Sequence, residues 1–285
     1  MGRVGLAFSW RRTQLTLLFH FLRTDKVQLR GKHNPIYLRL RNQLWKLAPE
    51  LADEIAESAP VLLTKPKILT EGKTDWKHLK AALKKLKEQG LFADLEIDFQ
   101  EDESPKGKGA DNLMRDCESL AKIQQTVPTI GVFDRDVEKA KKKVSNEIGD
   151  YKDLGHNVHL LVIPVPPHRQ TTPDSSIEFY YTDDDLKRRD KDGRRLFLSN
   201  EFNSTTGRHH HEDLICSDQN AYQSSTIKIV SDRVFDKDNH NVALSKNDFA
   251  DFILNEEGEF ANVDVKAFAR IFEVIAEIVA NFDGG

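Results

Sequence analysis

Four carboxylates fall in two short stretches of the chain. Glu71 and Asp75 stand in Ile68-Leu69-Thr70-Glu71-Gly72-Lys73-Thr74-Asp75, and Asp134 and Asp136 in Ile130-Gly131-Val132-Phe133-Asp134-Arg135-Asp136. Each stretch is an apolar run that ends in acid. Such a run reads as a buried parallel strand, and α/β proteins place their chemistry in the loops at the carboxyl ends of such strands. Glu71, Asp134 and Asp136 are therefore expected at one edge of one sheet. Carboxylates gathered there repel each other unless a cation sits between them. Hard oxygen donors with little else select Mg²⁺ or Mn²⁺, which suits phosphoryl or phosphodiester chemistry. Asp134 and Asp136 share a face if Arg135 points away, since alternate residues of an extended chain do so. Asp75 lies one helical turn beyond Glu71 and can reach the same cation. Its other reading is an acid that complements the dipole of a helix N-terminus.

The elements that must position these residues show as alternating patterns. Residues 67–70 predict a first strand, and Gly72 gives a tight turn that a side chain would obstruct. Residues 75–89 predict an amphipathic helix, with Leu79, Leu83 and Leu86 on one face and lysines on the other, closed by Gly90. A second strand is expected over 95–99, a charged loop over 101–110 and a helix over 111–125. A third strand follows over 128–133, a charged helix over 137–148 and a fourth strand over 158–165. This alternation predicts an α/β fold with a central parallel sheet flanked by helices. Beyond it, Ser176 to Tyr181 opens a helix, and 194–225 reads as loop. Residues 228–235 and 243–244 form a hairpin around 236–239. Ser245 caps a helix over 247–254, and 263–282 predicts one long amphipathic helix. The chain then divides into a basic helical region (1–66), a core (67–182) and an accessory region (183–285).

The chain has 285 residues, long enough to bury a core, and its formal net charge of −4 neither favours nor excludes nucleic acid. The distribution says more. Between Met1 and Lys46 there are ten arginines and lysines and a single acid, Asp25. A basic arm with an acidic metal site suits a polyanion that must be both neutralised and cut; the plain alternative is a basic surface helix without a ligand. Lys106, Lys108 and the lysines of 139–143 are further phosphate contacts, or else solvated faces. Trp10, Phe19, Phe21 and Trp45 read as packing residues before base-stacking ones. Cys117 and Cys216 lack a Cys-x-x-Cys or His/Cys setting, so free thiols in a reducing cytoplasm are expected. The apolar run 15–22 is too short to span a bilayer, so no membrane is expected as a partner. His209, His210 and His211 lack regular ligand spacing, and His78, one turn beyond Asp75, reads as a surface residue.

The order and spacing of Glu71-Gly72 and Asp134-Arg135-Asp136 resemble the Toprim domain. That domain is shared by topoisomerases, bacterial primases, some RNA-maturing nucleases and the OLD (overcoming lysogenization defect) nucleases. Its pattern is a strand ending in Glu-Gly, a helix, and a later strand ending in Asp-x-Asp. The resemblance implies a metal-dependent nuclease acting on DNA or RNA. Glu71 is then a metal ligand or general acid/base, and Asp134, Asp136 and Asp75 hold metal. Lys73 and Arg135, with Lys106 and Lys108, are the implied nucleic-acid contacts. Ser176-Ile177-Glu178 and Lys246 resemble the Ser-x-Glu and later lysine of the OLD branch. There Glu178 completes a second metal position with Asp75, and Lys246 stabilises charge on the phosphate, so that two ions clamp an in-line displacement. An ordinary helix start and an exposed lysine are the plain alternatives.

Two departures narrow the resemblance. Asp136 is followed by Val137-Glu138 rather than small residues, which counts against a primase-like nucleotidyltransferase. There is no Gly-x-x-x-x-Gly-Lys-Ser/Thr loop, so an ABC/SMC-like ATPase sensor would be a separate partner, as in bacterial anti-phage systems with a nuclease effector. A homo-oligomer is a further expected assembly. A non-catalytic module that binds nucleic acid or a partner protein is the remaining alternative.

Overall fold

The structure is a computed structural model, and it describes residues 65–103, 109–144 and 150–282. The basic arm and its aromatic residues, and with them Lys106 and Lys108, lie outside the described residues. All described residues belong to one compact unit.

Five strands form the central sheet. The chain runs β1 (Lys67–Thr70), α1 (Asp75–Glu88), β2 (Asp98–Phe99), α2 (Ala110–Leu120), β3 (Thr129–Phe133), α3 (Glu138–Val144), β4 (Tyr151–Asp153) and β5 (Val158–Val162). The spatial order is β2-β1-β3-β5-β4. β1 is parallel to β2 and to β3, β3 is parallel to β5, and β4 runs antiparallel to β5 at the edge. The fold is thus α/β, a mostly parallel sheet flanked by helices. Every residue of β3 is buried, which is why Thr-Ile-Gly-Val-Phe shows no polar alternation: it lies mid-sheet with both faces covered.

The order of the strands determines which face each helix covers. From β1 the chain moves out to β2, then returns past β1 to reach β3. Right-handed crossovers in opposite directions need helices on opposite faces. Accordingly Leu79, Ala82, Leu83 and Leu86 of α1 pack in one core with Ile68, Ile130, Val132 and Leu161. Leu113, Met114 and Cys117 of α2, with Ala140 and Val144 of α3, pack in the other with Leu69, Phe133, Leu160 and Val162. Gly131 lets α2 come close: a Cβ there would lie 2.5 Å from the Cys117 sulfur.

Residues after β5 complete the first core. A 3₁₀ turn (Ile177–Tyr180) and α4 (Asp183–Leu186) lead into two small sheets, β6 (Phe197–Leu198) with β8 (Ile229–Val230) and β7 (Ile215–Cys216) with β9 (Val234–Phe235). α5 (Gln219–Tyr222) lies between them. They enclose a satellite core of Phe197, Phe202, Cys216, Val230 and Val234. α6 (Lys246–Leu254) starts on the expected cap, with Ser245 Oγ accepting the Asp248 amide at 2.8 Å. Its Phe249 and Ile253 join α1 in the first core, as do Phe272 and Ile275 of α7 (Ala269–Ala280).

Several boundaries differ from the patterns read in sequence. β2 is two residues long, because the Leu95 amide turns back onto the Phe92 carbonyl. β4, which no periodicity announces, is three partly exposed residues. Residues 194–225 are not simply loop, since their sparse apolar side chains build the satellite core. The long C-terminal helix begins only at Ala269. Val263 is extended, the Asp264 amide is held by Asp185 at 3.3 Å, and the Asp264 carboxylate starts a new turn by accepting the Lys266 amide. Cys117 and Cys216 are free and buried. Among the described residues no helix is long and apolar enough to cross a membrane.

Candidate functional site

β1 and β3 are neighbours whose outgoing connections leave in opposite directions, β1 toward β2 and β3 toward β5. That divergence opens a crevice at the carboxyl ends of the two strands, the usual ligand position in an open α/β sheet. Glu71 follows β1 and Asp134 follows β3, so topology alone brings them together. The contact is direct: Glu71 Oε1 accepts the Asp134 amide at 2.8 Å.

Asp75, at the start of α1, is folded back over the same turn. Its Oδ2 accepts the Gly72 amide at 2.7 Å, and a Cβ at Gly72 would lie 2.8 and 2.9 Å from the two carboxylate oxygens. Glycine is needed here for close approach, not for an unusual φ. Asp134 in turn receives the Ile177 amide on Oδ1 at 2.9 Å, which docks the 3₁₀ turn carrying Glu178. Glu178 is 2% exposed. Its Oε1 meets Lys246 Nζ at 2.9 Å, and its Oε2 accepts the Ser176 hydroxyl. Five side chains from five separate segments thus converge on one crevice: Glu71, Asp75, Asp134, Glu178 and Lys246. Asp136 stands at the mouth, exposed, with Lys228 Nζ 3.9 Å away.

The electrostatics divide this cluster in two. Burial pushes the Glu71 carboxyl up to about 7, with the charges of Asp75, Asp136 and Glu178 acting in the same direction against the Asp134 amide. Burial, then the charge of Glu178, pushes Asp75 up to about 6. Asp134 is raised well above the carboxylate range, by burial first and then by Asp75, Glu178, Glu71 and Asp136. Glu178 goes the other way: burial alone would raise it, but the Lys246 ammonium and its other partners bring it down to about 2. Perturbed acids of this kind in a cleft mark a functional site. The three raised acids offer carboxylate oxygens that lack a compensating charge, which is the donor set of Mg²⁺ or Mn²⁺. They fit a divalent cation.

Other expected site residues have different tasks. Arg135 does not face a nucleic acid. Its Nη1 donates to Asp150 and to the Ile163 carbonyl, both at 3.1 Å, and so ties the segment after β3 to the far side of the sheet. Lys73 is half-buried in the turn between β1 and α1. His78 is not on the surface but fully buried, where its Nδ1 meets the Tyr181 hydroxyl at 3.1 Å and its Nε2 has no partner. Burial holds its pKa down to about 4. Its helical spacing from Asp75 placed it near the site, and only the covering by α6 makes it internal.

His209 lies against Glu201 at 3.4 Å, and its Nδ1 accepts the amides of His211 and Glu212, a structural arrangement. Asp236, Asp238 and His240 bring ligand atoms within 4.8 Å of one another in an outlying turn. There Asp236 Oδ1 is already taken by the Asp238 and His240 amides, both at 2.9 Å. Lys228 was missed in sequence. It has no motif, and its position at the mouth depends on the pairing of β6 with β8.

Comparison of the chain with protein-family models, with characterised proteins and with solved structures finds no match.

Proposed function

We propose that the chain is a divalent-metal-dependent nuclease that hydrolyses phosphodiester bonds in DNA or RNA, with a Toprim-like core closest to the OLD nucleases. One observation carries the reading: Glu71, Asp75 and Asp134, three buried acids without a counter-charge, share a crevice with the Glu178–Lys246 pair. A bound Mg²⁺ or Mn²⁺ supplies Lewis-acid stabilisation of the phosphate and a more acidic bound water. Asp134 and Asp75 are its ligands. Asp136 borders the crevice from outside and takes part in admitting the ion. Glu71, with a carboxyl poised near neutrality, is placed both to bind the ion and to accept a proton from the attacking water. Lys246 supplies positive charge toward the phosphate as the pentavalent arrangement forms.

On this reading the chain works in the cytoplasm as an effector of a bacterial anti-phage system, under control of a separate ABC/SMC-like ATPase. The test is a paired cleavage assay on plasmid DNA and on total RNA in Mg²⁺, Mn²⁺ or EDTA. The expected result is cutting by the wild-type protein, lost in EDTA and lost in Glu71→Gln. Equal cutting by a folded Glu71→Gln variant would sink the assignment.

A further inference from the structure

We propose that the site takes one divalent cation, held by Glu71, Asp75 and Asp134, and that the Lys246 ammonium on Glu178 stands in place of a second. This rests on the metal-site reading above and departs from the two-ion arrangement that the OLD resemblance implies.

Glu178 has no oxygen left over for a further cation. Oε1 is engaged by Lys246 Nζ at 2.9 Å and Oε2 by the Ser176 hydroxyl, in a side chain only 3% exposed. Seating a metal there would displace the ammonium from a buried carboxylate and leave it unpaired, a strongly unfavourable outcome in a poorly hydrated recess.

Lys246 is also delivered by a rigid element. It is the first residue of α6, fixed by the Ser245 cap, and α6 is anchored through Phe249 and Ile253 in the core beside α1. A cation at a helix N-terminus opposes the helix dipole, so the placement is unfavourable unless a carboxylate waits for it; Glu178 is that carboxylate. Among the described residues no lysine or arginine pairs with Glu71, Asp75 or Asp134, whose hydrogen bonds come from the Asp134, Gly72 and Ile177 amides and the Thr74 hydroxyl. Positive charge is therefore wanted on one side of the crevice and already built in on the other.

The experiment counts ions on the full chain, using Mn²⁺ alone as the probe, by calorimetric titration and by loss of the free-Mn²⁺ paramagnetic signal. Wild-type protein is expected to bind one Mn²⁺ at this site. Lys246→Met, which keeps the length of the side chain and removes its charge, is expected to bind two. Glu178→Gln is expected still to bind one, with affinity changed less than about tenfold. Two ions on the wild type would overturn the inference and leave the metal site intact, as would one ion on a folded Lys246→Met. Loss of the ion in a folded Glu178→Gln would make Glu178 a ligand and overturn it too. No Mn²⁺ bound by the wild type would remove the metal-site reading itself, and the inference with it. Should Lys246→Met fail to fold, the counts for the wild type and Glu178→Gln decide the matter.

Discussion

Buried acids occur at two places in this molecule, and they are treated in opposite ways. In the accessory region Glu201 accepts from Arg195 at 2.8 and 3.2 Å and from the Leu198 amide at 2.6 Å, with His209 beside it. Burial would raise its pKa, but these partners bring it below the usual carboxylate value. At the sheet edge Glu71 and Asp134 receive one amide each and no cationic side chain, and both are raised. A buried acid with its counter-charge built in holds a fold together. A buried acid without one is tolerated because something else is to bind there.

The sharpest way to break this contrast is to neutralise one acid of each kind. Asp134→Asn is expected to lower cleavage on the order of 10³-fold, the scale of losing a group that organises transition-state charge. It should not lower the stability of the metal-free protein, because the amide oxygen still accepts from Ile177 and no ion pair is lost. Cleavage rates with melting curves in EDTA check both halves. Glu201→Gln should do the reverse. It leaves Arg195 buried against an uncharged partner, at a cost of about 3 kcal/mol, seen as a lower denaturation midpoint at unchanged slope. Mn²⁺ affinity should stay within about twofold, since the substitution lies outside the crevice.

The contrast also has a pH signature. Glu71 and Asp75 have folded pKa values near 7 and 6, above their ordinary ones. The folded chain therefore holds protons that the unfolded chain has released, and stability falls as pH rises through this window. Buried His78, lowered to about 4, acts oppositely, but only up to its ordinary value of 6.5, and His159 is lowered in the same sense. Glu178, near 2, titrates too low to matter here. Between pH 6.5 and 8 the acids act alone. The melting temperature in EDTA should drop over that range by roughly 2–4 °C for each kcal/mol of repulsion gained. Saturating Mg²⁺ or Mn²⁺ should flatten the drop, and Asp134→Asn should shrink it.

How far such a site can be read in advance depends on how local its causes are. Glu71, Asp75 and Asp134 follow from short-range chemistry: an apolar strand, a glycine where Asp75 folds back, an acid at the strand end. The parallel sheet follows from the alternation of those runs with helical ones. Glu178 and Lys246 stand out in the sequence only through their resemblance to the OLD pattern, because their ion pair joins residues 68 apart and depends on α6 docking beside α1. Arg135 was misjudged because its partners, Asp150 and Ile163, lie on neighbouring segments that the sequence does not align. β4 is too short for any period to show. The burial of His78 depends on helices that arrive more than 160 residues later.

Lys228 gives the finest test of where the functional region ends. Its backbone is clamped to Ser199 in both directions, Lys228 N to Ser199 Oγ at 2.9 Å and Ser199 N to the Lys228 carbonyl at 2.8 Å. The side chain is thus presented by the accessory region at the mouth of the crevice. It is 44% exposed and only 3.9 Å from Asp136, an arrangement that contributes little to stability in water. If the accessory region serves only to fold, Lys228→Ala changes nothing measurable. If it also guides a polyanion to the acids, Lys228→Ala should raise KM a few-fold with kcat nearly unchanged. It should also reduce the salt dependence of binding by about one phosphate contact, measured with the cleavage-dead Glu71→Gln protein. An unchanged salt slope would return Lys228 to the solvent and confine function to the sheet edge and α6.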